Sequence, residues 1–407
     1  MADRSPPGAW PGHDLGSRGY RRVLLALLCA GVATFAQLYS VQGVLPLLAA
    51  ELRIDAARAS LGVSAATLGL AVGVLPWSVV SDRWGRLRTM VVAVVAATAL
   101  GLVMPFTPTF ESFVALRFVE GVALGGIPAV AMAYLAEELN PRHAAVAAGT
   151  YVAGTSLGGL SGRIVAAPVG DVLGWRTGTI TVSVLAAVAA VVFVLIAPRQ
   201  RGFVRQTVRL TGRSGLIGRL GANLADPGLV VLYLQGFLLM GGFVAVYNYL
   251  GFHLGGEPFG VSQTVVSLLF LAYLSGTWSS GTAGRVAAAR GRRTVLVASG
   301  LVMLAGLLAT LVPWLPAIVG GLLLFTAGFF AAHAVASGWV PVRSRTGRAQ
   351  ASSLYTLFYY GGSSVLGTAG GFFYTATGWT GAVGFVAGLV VLAVLLVVVV
   401  LREPDRA

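Results

Sequence analysis

Twelve runs of apolar residues, each long enough to cross the hydrocarbon core of a membrane, decide what this chain can fold into. A transmembrane helix needs about 20 predominantly apolar residues. Only 10% of the residues are charged, whereas a soluble domain carries roughly 25% to cover its surface. The sequence therefore predicts an all-α membrane protein with twelve transmembrane helices, numbered here spans 1 to 12, and excludes a soluble enzyme. The runs lie at about 22–49, 60–81, 89–107, 111–137, 143–168, 175–197, 228–253, 262–288, 294–313, 315–340, 347–373 and 379–401.

The positions of the arginines predict which helix ends face the cytoplasm. The net charge of +14 comes from 28 arginines and no lysine. In a membrane protein such charge is a topology signal, because cytoplasmic loops carry an excess of Lys and Arg, and no nucleic-acid partner is expected. With a cytoplasmic N-terminus, 23 arginines fall on the inside and only Arg53, Arg58 and Arg176 fall on the outside. We therefore predict that both termini are cytoplasmic.

The longest polar stretch, residues 199–227, divides the chain into two sets of six spans. It carries six arginines against one acid, Asp226, and is expected to lie against anionic lipid headgroups. The alternative, a regulatory docking site, has only the charge in its favour. The predicted divisions are a cytoplasmic tail (1–21), a six-helix bundle (22–198), a cytoplasmic Arg-rich linker (199–227), a second six-helix bundle (228–401) and a cytoplasmic C-terminal tail (402–407).

The two halves also repeat one another. Tyr151 and Trp175 return 204 residues later as Tyr355 and Trp379. A duplicated six-helix unit, with its pseudo-axis along the membrane normal, is typical of one large class of secondary transporters. In span number and in this repeat the sequence resembles the major facilitator superfamily, and the resemblance implies two pseudo-symmetric bundles.

The turn after span 2 resembles the signature that this family carries between spans 2 and 3. The resemblance implies that Asp82 and its neighbouring arginines latch the two halves together on the cytoplasmic side in one conformation. The alternative is ordinary positive charge on a cytoplasmic loop. The residues of this motif are Ser78 (where the family has glycine), Asp82, Arg83, Gly85, Arg86 and Arg88.

Span 4 carries Arg117 and Glu120 inside the membrane, in a segment that resembles another family motif. Residues three positions apart share a helix face. An ionisable side chain at this depth is costly and marks a functional site by default. We expect this pair to couple transport to protons. The alternative is a permanent ion pair that holds span 4 in the bundle.

Span 5 resembles the antiporter motif of drug:proton exchangers, with Gly159 in place of proline and Arg163 in place of the last glycine. These departures, and similarities along nearly the whole chain, resemble the YnfM-type transport proteins. The glycines are expected to leave a groove for a neighbouring helix. Arg163 either attracts an anionic substrate or reaches the outer headgroups. The motif residues are Gly154, Gly158, Gly159, Gly162 and Arg163.

Polar and aromatic residues near the membrane midplane are candidates for a substrate cavity. Such residues in membrane helices also serve as packing or interface anchors. The candidates are Gln37, Tyr39 and Gln42 in span 1, Tyr151 in span 5, Tyr247 and Asn248 in span 7, His333 in span 10, and Tyr355, Tyr359 and Tyr360 in span 11.

These features together predict a proton-coupled exporter of small organic solutes in a bacterial inner membrane. It would work as a monomer surrounded by lipid, with the proton gradient as its energy source and no cofactor or metal. The chain lacks a nucleotide-binding G-x-x-x-x-G-K-[ST] motif and a H-E-x-x-H zinc motif. Two alternatives remain at this point: proton symport or facilitated uptake of a metabolite, and a membrane-embedded enzyme or lipid-handling protein.

The predicted topology can be tested by cysteine labelling from outside the cell. In a Cys29→Ser background, an impermeant thiol reagent should modify a cysteine at position 257 and leave one at position 212 unmodified. The reason is the arginine excess on the predicted inner side. Labelling of position 212 in intact cells would contradict the topology.

Overall fold

The computed structural model describes residues 10–205, 212 and 215–401 of the 407. Within these residues nine helical segments are long and apolar enough by themselves to cross a membrane. The last of them, Arg348–Val400, contains two spans, because Thr377 and Gly378 leave helical geometry. Spans 5 and 8 complete the twelve, which confirms the predicted all-α fold. The spans are Arg18–Tyr39, Ala56–Trp84, Arg86–Val103, Phe110–Leu124 continued by Gly126–Glu138, Ala144–Leu173, Trp175–Ile196, Pro227–Gly255, Gln263–Leu268 continued by Tyr273–Arg290, Arg292–Ala309, Leu315–Arg343 and the two parts of Arg348–Val400.

Span 1 is broken where the sequence predicts a continuous run over 22–49. The helix ends at Tyr39, a 3-10 turn follows over Gln42–Val44, and a short helix occupies Leu45–Leu52. Pro46 stands in the first turn of that short helix, where its missing N–H costs nothing. Hydropathy alone cannot reveal the break in span 1, because the residues on both sides of it are apolar.

The turns between neighbouring spans show the same repeat of the two halves as the sequence. Spans 2 and 3 separate at Gly85, and spans 8 and 9 at Gly291, with φ of 98° and 92°. Spans 5 and 6 separate at Gly174, and spans 11 and 12 at Gly378, with φ of 84° and 67°. A side chain would be strained in this conformation, so glycine permits each reversal within one residue. Both halves therefore use the same device at equivalent places.

The alternation of the spans gives the bundle two ends. We call the end that carries Arg18, Gly85, Ile196, Pro227 and Val400 the linker face, and the opposite end the far face. Contacts between helix termini agree with this arrangement. Arg22 Nε donates to Ile196 O at 2.9 Å, and Arg293 Nη2 donates to Val398 O at 2.7 Å.

Hydrogen bonds tie the two halves together at the far face. Gln42 donates to Asn248 at 2.6 Å, Thr368 donates to Ser64 at 2.7 Å, and the backbone N–H of Thr264 donates to Asp171 at 2.6 Å. Each of these three pairs lies in the half of the bundle toward this face. We call these three pairs the far-face ties.

The start of the predicted linker is fixed to the linker face of the first bundle. The Glu138 carboxylate accepts hydrogen bonds from the backbone N–H groups of Arg201 and Gly202, at 2.6 and 2.9 Å. A short helix, Leu216–Leu224, occupies the end of this segment. Residues 1–9, 206–211, 213–214 and 402–407 lie outside the described residues, so the predictions for most of the N-terminal tail, for Arg209 and Arg213, and for the C-terminal tail concern parts that the structure does not describe.

Span 7 begins at a cap that also binds span 10. Asp226 Oδ1 accepts hydrogen bonds from the backbone N–H of Gly228 at 2.8 Å and from Arg343 Nε at 3.1 Å. Burial by itself would raise the pKa of Asp226, but the hydrogen bonds from Arg343, Leu229 and Gly228 outweigh it and lower the pKa below its ordinary value. A carboxyl whose pKa is lowered by folding stabilises the fold above its unfolded pKa of about 3.9, and this contribution is lost as the pH falls through the folded pKa.

We expect Asp226→Ala to lower the free energy of unfolding by about 1 kcal/mol at neutral pH, a typical value for a lost N-cap. Asp226→Asn, which keeps the cap but removes the charge, should lose less. Thermal unfolding of purified protein in detergent at pH 7 and at pH 3 would measure both, and the difference between wild type and Asp226→Asn should shrink at the lower pH, below the unfolded pKa of the carboxyl. Glu257→Gln, in an exposed loop, is the control; an equal loss there would show that the effect is not specific to the cap.

Candidate functional site

Arg117 and Glu120 form a fully buried ion pair in span 4. Arg117 Nη1 lies 2.7 Å from Glu120 Oε2, and the two side chains are 0% and 1% exposed. The remaining donors of Arg117 bind backbone carbonyls: Nε donates to Gly62 O at 2.8 Å, and Nη2 donates to Leu38 O at 2.8 Å. One side chain therefore joins spans 1, 2 and 4. The spacing of these residues in the sequence pointed to the pair but not to these carbonyls.

Gln37, a predicted cavity residue, lies beside Glu120 inside the first bundle. Its Nε2 donates to Ala33 O at 2.9 Å, and its Oε1 is buried without a hydrogen-bond partner among the described residues. Gly101 of span 3 makes room for this arrangement, because a Cβ there would lie 2.5 Å from Gln37 Oε1 and 3.1 Å from Glu120 Oε1. Two acceptor oxygens thus lie beside Gly101, and in the ionised state of Glu120 neither of them carries a proton to donate.

The motif after span 2 forms an ion-pair network within one half. Arg86 Nη1 lies 2.5 Å from Asp82 Oδ1, and Arg86 Nη2 lies 3.0 Å from Glu137 Oε1 at the end of span 4. Ser81 also accepts from Arg86, at 2.7 Å. Ser78 is half-buried, Gly85 makes the turn, and Arg83 and Arg88 are exposed. In this conformation the motif fastens spans 2, 3 and 4 together at the linker face.

The glycines of span 5 lie against span 1. A Cβ on Gly154, Gly158 or Gly162 would stand 2.4–2.6 Å from the carbonyl oxygens of Leu28, Val32 and Ala36. Such distances are shorter than any real Cβ contact, so only glycine allows the two backbones this approach. Gly159 lies on another face of the helix, where a Cβ would stand 3.3 Å from Arg163 Nη1 and 3.7 Å from the Tyr39 ring.

A cavity of about 110 Å³ lies between the halves. Of the predicted cavity residues, Tyr39, Tyr359 and Tyr360 line it. His333 lies behind Tyr359, with ring centroids 4.7 Å apart, and its Nδ1 is 3.0 Å from the Tyr355 hydroxyl. The lining residues are Phe35, Tyr39, Thr155, Ser156, Gly159, Arg163, Met240, Phe243, Tyr273, Phe329, Phe330, Tyr359 and Tyr360.

The other predicted cavity residues lie apart from this lining. Gln42 and Asn248 bind one another in a far-face tie. Tyr247 stacks on Phe270 and hydrogen-bonds to Thr326 at 2.7 Å. Tyr151 is buried in the first bundle. Sequence analysis missed all four phenylalanines that line the cavity, because an apolar residue that faces a cavity looks the same in a sequence as one that faces a neighbouring helix.

Arg163 stands at the wall of the cavity. It is 2% exposed, so it does not reach the outer headgroups. Its Nε donates to Gln42 Oε1 at 2.7 Å, and its Nη1 donates to Gly159 O at 2.5 Å. The guanidinium carbon lies 4.0 Å from the centre of the Tyr39 ring, and 4.9 Å from the centres of the Phe270 and Tyr273 rings. Span 8 of the second half therefore covers a cation of span 5.

Comparisons with known proteins agree with this architecture. A family model described as Major Facilitator Superfamily matches residues 27–329 and 256–407. The chain is 42% identical to the inner membrane transport protein YnfM of Escherichia coli (strain K12), over 93% of this chain and 90% of that protein. It is 38% identical to the uncharacterized MFS-type transporter YybF of Bacillus subtilis (strain 168), over 94% of each. The crystal structure of a D-xylose-proton symporter has a TM-score of 0.76 at 16% identity, covering 95% of this chain and 98% of that one, and supports the fold alone.

The network around Arg86 should make Arg86→Gln more damaging than Asp82→Asn. Removal of Arg86 leaves two partly buried carboxylates without a cation, which in soluble proteins costs about 3 kcal/mol or more, whereas Asp82→Asn leaves Arg86 paired with Glu137. Thermal unfolding of the purified variants measures the difference. Arg83→Gln, an exposed arginine of the same motif, is the matched control. Equal stability of Arg86→Gln and Arg83→Gln would contradict a structural role for the network.

Proposed function

The chain belongs to the major facilitator superfamily, and from this premise we propose that it is a proton-coupled exporter of small organic solutes. Its family and relatives are transporters rather than enzymes, and transport across the membrane by a secondary mechanism follows from that membership. Export, proton coupling and antiport are the parts that we add. The observation that carries them is the buried Arg117–Glu120 pair beside an acceptor oxygen that lacks a proton donor.

We place the linker face in the cytoplasm and the far face outside the bacterial inner membrane. The arginine excess supports this orientation, and the YnfM relative is an inner membrane transport protein. With this orientation, the far-face ties close the outer side of the cavity. Such a state suits loading from the cytoplasm, as an exporter requires. Alternating access then needs these ties to break and the linker face to close.

Glu120 is the proposed proton carrier. It is the one acidic residue at mid-depth within the described spans, since the others lie near span ends or in loops. When ionised, it pairs with Arg117 at 2.7 Å. When protonated, it can donate to the unsatisfied Oε1 of Gln37 across Gly101. The Glu120 carboxyl therefore has Arg117 as its partner when ionised and an acceptor nearby, Gln37 Oε1, when protonated.

Span 1 connects this proton site to the cavity and to the ties. Arg117 holds the carbonyls of Gln37 and Leu38. Tyr39, the next residue, lines the cavity and ends the helix, and Gln42 forms a far-face tie three residues later. A loosened Arg117 would free the end of span 1, where the helix is already interrupted. Protonation at Glu120 is thereby linked to the closure of the far face.

Glu120→Gln should abolish transport driven by a pH gradient and spare substrate binding. Glutamine keeps the shape and still accepts a hydrogen bond from Arg117, but it cannot titrate. The measurement uses purified protein in liposomes with an imposed pH gradient and a panel of organic compounds, and follows substrate-dependent proton movement with an enclosed pH dye.

Glu111→Gln is the matched control, because Glu111 lies in the same span but forms only an exposed pair with Arg58. Wild-type protein and this control should exchange protons for at least one compound in the panel. Proton movement in Glu120→Gln equal to that of the control would remove Glu120 as the carrier. Proton and substrate movement in the same direction in the wild type would instead identify a symporter.

A further inference from the structure

We propose that the substrates of the transport site are small organic carboxylates with a flat apolar body, and that Arg163 binds their carboxylate. This inference rests on the proposed transport function, but it concerns what the cavity binds rather than how transport is driven. The geometry that carries it is a buried guanidinium, without an ion-pair partner among the described residues, at the wall of an aromatic cavity between the two halves.

Arg163 carries a buried positive charge that no described acid balances. The ion pairs of the described residues do not include it. Arg117 offers an internal comparison, because it lies at similar depth and pairs with Glu120 at 2.7 Å. A buried charge without a counter-ion is costly, and intramembrane charges are retained where they pair or function. Among the described residues, Arg163 is therefore a buried cation without an acidic partner, and it lies at the cavity.

The groups around Arg163 ease its burial without neutralising it. The amide oxygen of Gln42 and the carbonyl oxygen of Gly159 accept two hydrogen bonds. The rings of Tyr39, Phe270 and Tyr273 attract the cation through their faces. The Tyr273 hydroxyl is a third hydrogen-bond partner of Arg163. Neutral dipoles and rings leave the net charge in place, and three hydrogen bonds still leave N–H donors of the five-donor guanidinium available. A carboxylate supplies both the missing charge and the matching geometry.

The rest of the cavity indicates what the carboxylate is attached to. Phe243 and Phe329 stack with ring centroids 4.1 Å apart and 16° between their planes, and Phe330 stands edge-on to Phe329. The volume of about 110 Å³ is of the order that holds a single six-membered ring, since an apolar cavity of about 150 Å³ binds benzene. A neutral solute would leave Arg163 unpaired, and an organic cation would be repelled by it. A ring or short chain that carries one carboxylate fits both features.

Equilibrium binding to the purified protein tests this inference without any gradient. The probes are benzoate and cyclohexanecarboxylate, with their primary amides and the corresponding amines, benzylamine and cyclohexylmethylamine. Binding to protein in nanodiscs is followed by isothermal calorimetry and by the shift in thermal unfolding. We expect at least one of the two carboxylates to bind roughly tenfold or more tightly than its amide, with no binding of the amines.

Arg163→Met, which keeps the length of the side chain but removes the charge, should weaken carboxylate binding by roughly tenfold or more and leave the amide unchanged. Arg163→Lys should retain part of the preference, because the charge remains but the fork does not. Arg176→Met is the matched control, since Arg176 is a half-exposed arginine paired with Glu51 outside the cavity. If Arg163→Met does not fold, the wild-type selectivity and Arg163→Lys decide.

Three results would overturn the inference: equal or tighter binding of the amides or amines, unchanged carboxylate binding in Arg163→Met, or no binding of either carboxylate. Each is separate from the failure of proton coupling. A protein that binds benzoate through Arg163 but moves no protons would refute Glu120 as the carrier and leave this inference intact. Proton-coupled transport of amines alone would refute carboxylate binding at Arg163 and leave proton coupling through Glu120 intact.

Discussion

The hydrogen bonds of Arg117 are the constraint on which the first half of the molecule depends. A guanidinium inside a membrane must satisfy its donors within the protein, because lipid offers none. Arg117 does so with the Glu120 carboxylate and with carbonyls of Gly62, Gln37 and Leu38. The carbonyl of Leu38 lies in the last turn of span 1, where the helix ends at Tyr39 and its carbonyls lack partners within the helix. The burial of one charge thus supports a helix end, and that end positions both a cavity residue and a tie between the halves.

Close backbone packing between spans 1 and 5 is the second constraint, and it depends on steric fit rather than on the burial of a charge. Span 5 approaches span 1 through Gly154, Gly158 and Gly162, each of which lies against a backbone carbonyl of span 1. Gly159, one position along, faces the cavity side and leaves room for Arg163. A single run of glycines therefore serves two faces of one helix: three fasten it to its own half, and the fourth opens space for a cation that contacts the other half.

The sequence was sufficient for those features that depend on hydropathy or on short spacing. Twelve spans follow from the apolar runs, and the pairing of Arg117 with Glu120 follows from their separation of three residues. The break in span 1 escaped prediction, because the residues on both sides of it are equally apolar. The partner of Arg86 also escaped it, since Glu137 lies 51 residues away and only the packing of span 4 brings it near. The cavity lining was the least predictable part: Phe243 and Phe329 differ from packing residues only in what they face.

The cover that span 8 places over Arg163 makes the local dielectric depend on conformation. Phe270 and Tyr273 belong to the second half and lie 4.9 Å from the guanidinium while the far face is closed. If the halves part at that face, as the proposed transport cycle requires, these rings would move away and water would reach the cation. The attraction between opposite charges falls several-fold between a protein interior and water. An anion held at Arg163 would then lose most of its binding energy at the moment an exit opens, without the breaking of any direct contact to it. Release would thus follow from hydration.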